Sequence, residues 1–133
     1  LLQPGELPRW HRGRRGKLIE RLKWQLKYGE SIEAYETLAS RGAAVPPDFF
    51  EVPLLPPGFE LLMQMFWDLN SERQIGFTAG PIPISKVYEL AERNGLDSDS
   101  THLLLSAVRE MDREYMRWLH KKHESAKAAK KRG

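Results

Sequence analysis

Three stretches of the chain hold side chains of the kinds that do chemistry. His120 and His123 stand about one helical turn apart, with Glu124 next in sequence, a spacing that could offer two imidazoles to one metal ion. Lys121 and Lys122 lie between them and no third ligand stands near, so the pair reads as the surface of a basic helix end. Asp97, Asp99 and Thr101 match the first alternate positions of a calcium loop, but His102 occupies the place of the required glycine and Val108 that of the closing glutamate. Helix capping accounts for those acids better. Ser40 and Ser85 lack the G-x-S-x-G setting of a nucleophile elbow, and no glycine pattern follows a strand to cradle phosphate. The chain has no cysteine, which removes thiol catalysis, disulfides and cysteine-bound zinc. No catalytic residue, metal or cofactor is expected, and the protein is not expected to be an enzyme.

Ala91-Glu92-Arg93-Asn94-Gly95-Leu96 has the alanine, glycine and apolar spacing found at the bend of many helix-turn-helix domains. A recognition helix offers its first residues to bases and phosphates. Here those are Asp97, Ser98, Asp99, Ser100 and Thr101, which bring negative charge toward a polyanion, so the segment reads as a structural turn between two helices. Charge is distributed to match. Residues 1–29 carry eight Lys/Arg against two Glu, a net of +6; residues 30–118 carry seven against fifteen acids, a net of −8; residues 119–133 carry six against one, a net of +5. The middle is acidic and the ends are basic, so electrostatic contact with an acidic partner belongs to the ends and weakens with salt. Arg12, Arg14, Arg15, Lys130, Lys131 and Arg132 are the candidates for it.

The elements that must carry these residues read as all-α. At 133 residues the chain has the length of one domain. No apolar run approaches the ~20 residues of a membrane span and the first residues do not form a signal peptide, so a soluble, intracellular protein is expected. Residues 1–16, rich in Pro, Gly and Arg, read as extended or disordered. Lys17 to Tyr28 forms a short basic amphipathic helix with Leu18, Ile19, Leu22 and Leu26 on one face, stopped by Gly29; packing on the domain, docking to an acidic partner and lying on a membrane surface are its readings. Ser31 to Arg41 reads as a second helix ended by Gly42. From Pro46 to Pro57 there are five prolines in twelve residues, which predicts an extended strap across the core with Phe49, Phe50 and Leu54 tucked in.

The densest apolar stretch follows. Phe59, Leu62, Met63, Phe66 and Leu69 recur at helical spacing, with Leu61, Met65 and Trp67 widening the face, so this helix needs cover on more than one side. After Arg73 the period stops. Gly76 and Gly80 permit positive φ while Pro81 and Pro83 fix φ, which predicts a stiff apolar loop ending at Ser85 as the cap of the next helix, with Glu89 in its first turn. That helix carries Val87, Leu90 and Ala91 and stops at Gly95. A last helix runs from Ser100 to about Ser125 with Leu104, Val108, Met111, Tyr115, Trp118 and Leu119 as its stripe, and its lysine-rich end from Lys121 frays. The organisation expected is a basic N-terminal arm over 1–29, a helical domain over 30–120 and a basic tail over 121–133. Either these apolar residues seal a small core, or some of them, with Met63, Met65, Phe77, Ile82 and Ile84 foremost, line a surface for an apolar partner.

Residues 58–118 resemble a known family. Gly58-Phe59-Glu60, Phe66-Trp67-Asp68-Leu69, Arg73-Gln74-Ile75-Gly76, Gly80-Pro81-Ile82-Pro83, Tyr88, Gly95-Leu96-Asp97 and Met111-Asp112-Arg113-Glu114-Tyr115 are similar to small proteins of tailed bacteriophages, of the tail assembly chaperone type encoded just before the tape measure protein. The resemblance implies a non-enzymatic role in the host cytoplasm: coating the long, aggregation-prone tape measure protein and handing it to tail-tube subunits. Partner contact would fall on Phe59, Met63, Phe66, Trp67, Phe77, Ile82 and Ile84, and homo-oligomers are open. Family members are often made in two lengths by ribosomal frameshifting, so for a chain that starts at Leu1 a trimmed, processed or fused N-terminus and an extension read from a preceding frame are the open readings. Two other classes stay open: a virion structural component such as a tail or head-tail adaptor, and a nucleic-acid-binding regulator acting through the basic ends. Nucleic acid and membrane are not the expected partners.

Overall fold

A computed structural model describes residues 12–73 and 80–132, with side chains from 15 to 73 and from 80 to 131. Five α-helices follow one another: α1 (Arg12–Tyr28), α2 (Ile32–Ser40), α3 (Phe59–Ser71), α4 (Ile84–Arg93) and α5 (Ser98–Arg132), with short 3-10 turns at Gly29–Ser31 and Pro47–Phe50. Among the described residues there is no strand, so the fold is all-α. No helix there is long and apolar enough to cross a membrane.

The core is the meeting of α3 with α1, α4 and α5. Phe59, Leu62, Met63, Met65, Phe66 and Leu69 of α3 are buried, joined by Leu18 and Leu22 of α1, Val87 and Ala91 of α4, and Leu104, Ala107, Val108 and Met111 of α5. Burying side chains of this size is worth about 1.5–3 kcal/mol each, which explains why α3 is apolar around most of its circumference. Gly58 enters α3 with φ +85°, a conformation that side chains with a Cβ resist.

α1 starts at Arg12, five residues before the start expected at Lys17. The reading of 12–16 as extended or disordered is corrected, while residues 1–11 lie outside the described residues. Arginine is a good helix former, and Arg15 is tied to Glu110 of α5 by an ion pair. That bond supplies a tertiary anchor for the first turn.

The strap is pinned to α1, and its Leu55 packs against the core. Trp24 Nε1 donates to the Asp48 carbonyl at 3.2 Å, Lys27 Nζ donates to Asp48 Oδ2 at 2.7 Å, and Arg21 Nη1 donates to the Pro53 carbonyl at 2.9 Å. Phe49 is buried where Tyr28 and Tyr35 meet its ring edge-on at 5.6 and 5.3 Å between centroids. Phe50 and Leu54 were expected to be tucked in, yet they are 64% and 82% exposed. The fastening points hold the backbone against α1 and leave these two side chains facing water.

The turn from α4 to α5 closes as a Schellman motif. Gly95, at φ +64°, donates its N–H to the Glu92 carbonyl at 3.1 Å, and Leu96 donates to the Ala91 carbonyl at 3.0 Å. Asp97 then caps α5 by accepting the Ser100 N–H on Oδ1 at 2.7 Å. This is the structural turn expected of Ala91 to Leu96. The cap of α4 is Pro83 rather than Ser85. Pro83 already has the extended ψ that a capping position needs, so the helix begins directly after it, and Glu89 pairs with Lys86 at 3.4 Å instead of sitting in the first turn. α5 begins at Ser98 and continues to Arg132, past the fraying expected from Lys121. Its 35 residues span about 52 Å.

Candidate partner-binding groove

Arg73 and Asp112 hold the segment that leads into α4. Their side chains are 4% and 9% exposed and form an ion pair. The guanidinium also donates from Nε to Asn70 Oδ1 at 3.0 Å and from Nη1 to the Gly80 carbonyl at 2.5 Å, and it lies 4.7 Å from the centre of the Tyr115 ring. Asp112 uses its other oxygen, Oδ2, to accept the Ile82 N–H at 2.9 Å. That bond follows from the sequence: Pro81 and Pro83 have no N–H, so Ile82 carries the only backbone donor in Pro81-Ile82-Pro83 and needs an acceptor once buried. A charge-assisted bond from a paired carboxylate is the stronger kind. Residues 73 and 80–82 are thereby locked to α5.

The locked segment forms one wall of an apolar groove of about 470 Å³. Pro81, Ile82 and Ile84 stand on that wall, Leu105, Val108 and Met116 of α5 oppose them, and Arg109 and Arg113 form a basic rim. Ile84 is 45% exposed, while Ile82 is buried and belongs to the core cluster.

The residues expected to contact a partner separate into three sets. Ile82 and Ile84 come together in this groove. Trp67 lines a different cavity, of about 240 Å³, with Gln25, Leu26, Tyr115 and Trp118, and donates its Nε1–H to Gln25 Oε1 at 2.8 Å. Phe59, Met63 and Phe66, like Met65, are placed in the core, because one wide apolar face on α3 is satisfied by three neighbouring helices. Phe77 lies outside the described residues.

Among the electrostatic candidates, Arg15 is engaged with Glu110 and Lys130 and Lys131 are exposed. The side chains of Arg12, Arg14 and Arg132 lie outside what the structure describes. Arg109, Arg113 and Met116 escaped the sequence reading, and Leu105 stood out there only as a neighbour of the last helix's apolar stripe. Their only signal is an i, i+4 arginine pair flanked at helical spacing by apolar residues, which gains meaning once the Pro81–Ile84 wall is set beside it.

His120 Nε2 lies 4.0 Å from Glu124 Oε1 on the exposed end of α5. Among the described residues no three His, Asp or Glu side chains converge as a metal site would need.

The fold and groove define a small all-α domain with a rigidly held apolar surface feature and charged ends. A family model described as phage tail assembly chaperone matches residues 38–117, which is 80 of the 133 residues. The chain belongs to that family, and its role lies in the assembly of phage tails. No curated protein and no solved structure gives a match.

Proposed function

We propose that the protein is a non-enzymatic assembly factor that holds a tail component, the tape measure protein or the tail-tube protein, in the groove between the Pro81–Ile84 wall and α5. The observation that carries this reading is the buried Arg73–Asp112 pair, which fixes an apolar wall whose Ile84 remains 45% exposed. Burying an ion pair costs several kcal/mol in desolvation unless its hydrogen bonds are well satisfied. Here those bonds go to Gly80 and Ile82, so the pair's structural consequence is the position of the groove wall. A preorganised groove loses less entropy on binding, and helix-in-groove recognition uses such apolar walls. The host cytoplasm is the compartment this role requires.

The test is co-expression with the tape measure and tail-tube proteins followed by size exclusion. A tail protein that becomes soluble and co-elutes, with co-elution lost in Ile84→Asp while the circular dichroism spectrum is retained, supports the reading. Absence of co-elution with either protein overturns it. Phe50 and Leu54, exposed on the strap, favour a second reading in which the protein is a virion structural component that locks onto neighbours. Retention of the chain in purified tails supports that one.

A further inference from the structure

We propose that the groove is one end of a longer docking track along α5, and that its occupant is an amphipathic helix of a partner protein whose apolar stripe is bordered by carboxylates. This rests on the partner-binding reading above and names the chemistry of the partner. At 100° per residue, Arg109, Arg113 and Met116 lie on the same strip of α5 as His120, His123, Lys127 and Lys131, within about 80° of its circumference. The first three line the groove. The others continue in a straight line on a part of α5 where residues 120–131 are all exposed.

From Arg109 to Lys131 the strip is about 33 Å long. Arg109, Arg113, Lys127 and Lys131 make no ion pair among the described residues. Glu124, the one acid in 119–133, stands at the border of the strip beside His120. An apolar depression that leads into a straight row of unpaired cations complements a straight rod with an apolar stripe at one end and acids along its edge. A helix, about 10–12 Å across, is such a rod. Phosphates of a duplex match the cations but leave the apolar depression unfilled, which places nucleic acid second.

The probes are two synthetic helical peptides of about four heptads with leucine at a and d, one with glutamate and the other with lysine at e and g. Their binding to the full chain is read by fluorescence anisotropy at physiological salt. The glutamate peptide is expected to bind at least about tenfold more tightly, and Arg109→Glu/Arg113→Glu is expected to reverse the preference. Lys127→Glu/Lys131→Glu is expected to weaken the glutamate peptide while leaving a peptide of half the length unaffected. All four residues are exposed, so these variants retain the helical spectrum.

Equal affinity for both peptides, or unchanged affinity in both variants, overturns the inference. So does displacement of the peptide by an equimolar DNA duplex, which would make the track a polyanion surface. A dimer of the chain alone, dissolved by the same variants, would make a second copy the occupant and overturn it too. Co-elution of a tail protein with the Arg109→Glu/Arg113→Glu chain would sink this inference and leave the assembly role standing. Tight glutamate-peptide binding with no tail protein co-eluting would do the reverse.

Discussion

Only 4% of the Arg73 side chain meets water. Its value lies in what would be orphaned without it. Replacing it by methionine leaves the Asp112 carboxylate buried with the Ile82 N–H as its remaining partner, and breaking a buried pair in this way costs about 3–5 kcal/mol. Urea unfolding of Arg73→Met is expected to show that loss, and Arg73→Met/Asp112→Leu to recover part of it. If the double variant is as unstable as the single, desolvated charge is not the cause. Asp48 shows the exposed counterpart. The hydrogen bond from the Lys27 ammonium holds its carboxyl below the ordinary 3.8, and the same bond raises Lys27 above 10.5. The carboxylate's contribution is complete above 3.8 and lost as pH falls through its lower folded value. The ammonium's is complete below 10.5 and lost as pH rises through its higher folded value. The strap is therefore clamped across the range between. In Lys27→Met, an NMR titration of Asp48 is expected to return toward 3.8, and an unmoved carboxyl would exclude Lys27 as the cause.

Each helix boundary has a local chemistry and a tertiary one. Gly95 belongs to the first kind: a Cβ there would meet no atom within 4 Å, so the obstacle to substitution is its φ of +64°. Gly95→Ala is expected to cost about 1–2 kcal/mol and Gly95→Asn less, since asparagine tolerates the left-handed region. Equal losses for both in thermal unfolding would point to crowding instead. The start of α1 belongs to the second kind. Gly13 and Gly16 weaken a helix there, and the bond between Arg15 and Glu110, 95 residues away, anchors it.

At the scale of the whole molecule, α1 is packed into the same core as α3, α4 and α5. Leu18 and Leu22 are fully buried against α3 and α5, and removing such side chains from a core costs about 2–5 kcal/mol each. A chain beginning at residue 30 is therefore expected to lose cooperative thermal unfolding. Persistence of a sharp transition in that truncation would show that residues 30–120 fold alone. The other end behaves differently. Residues 120–131 are exposed, and Lys122 reaches Glu30 only through an exposed ion pair at 3.4 Å, so removing them is expected to lower helicity with little movement of the transition.

Composition, helical periodicity and turn chemistry determined the all-α class, the five helices and the left-handed glycines at 42 and 95, because each depends on neighbours within about five residues. The Gly80-Pro81-Ile82-Pro83 and Met111-Asp112 motifs were legible as family marks, but the need of the lone Ile82 N–H for an acceptor was not read from them. That Asp112 answers it, and that Arg73 joins them, required two positions 39 residues apart to meet. Exposure was likewise undecided by the sequence. An apolar side chain reads the same whether three helices cover it, as with Phe66, or water meets it, as with Ile84. The row from Arg109 to Lys131 lies on α5 in any helical wheel, but only the fold shows that one end of it opens into an apolar groove and the rest stands free. Local spacing sets which residues share a face; what that face meets depends on segments distant in sequence, and tertiary packing alone brings them there.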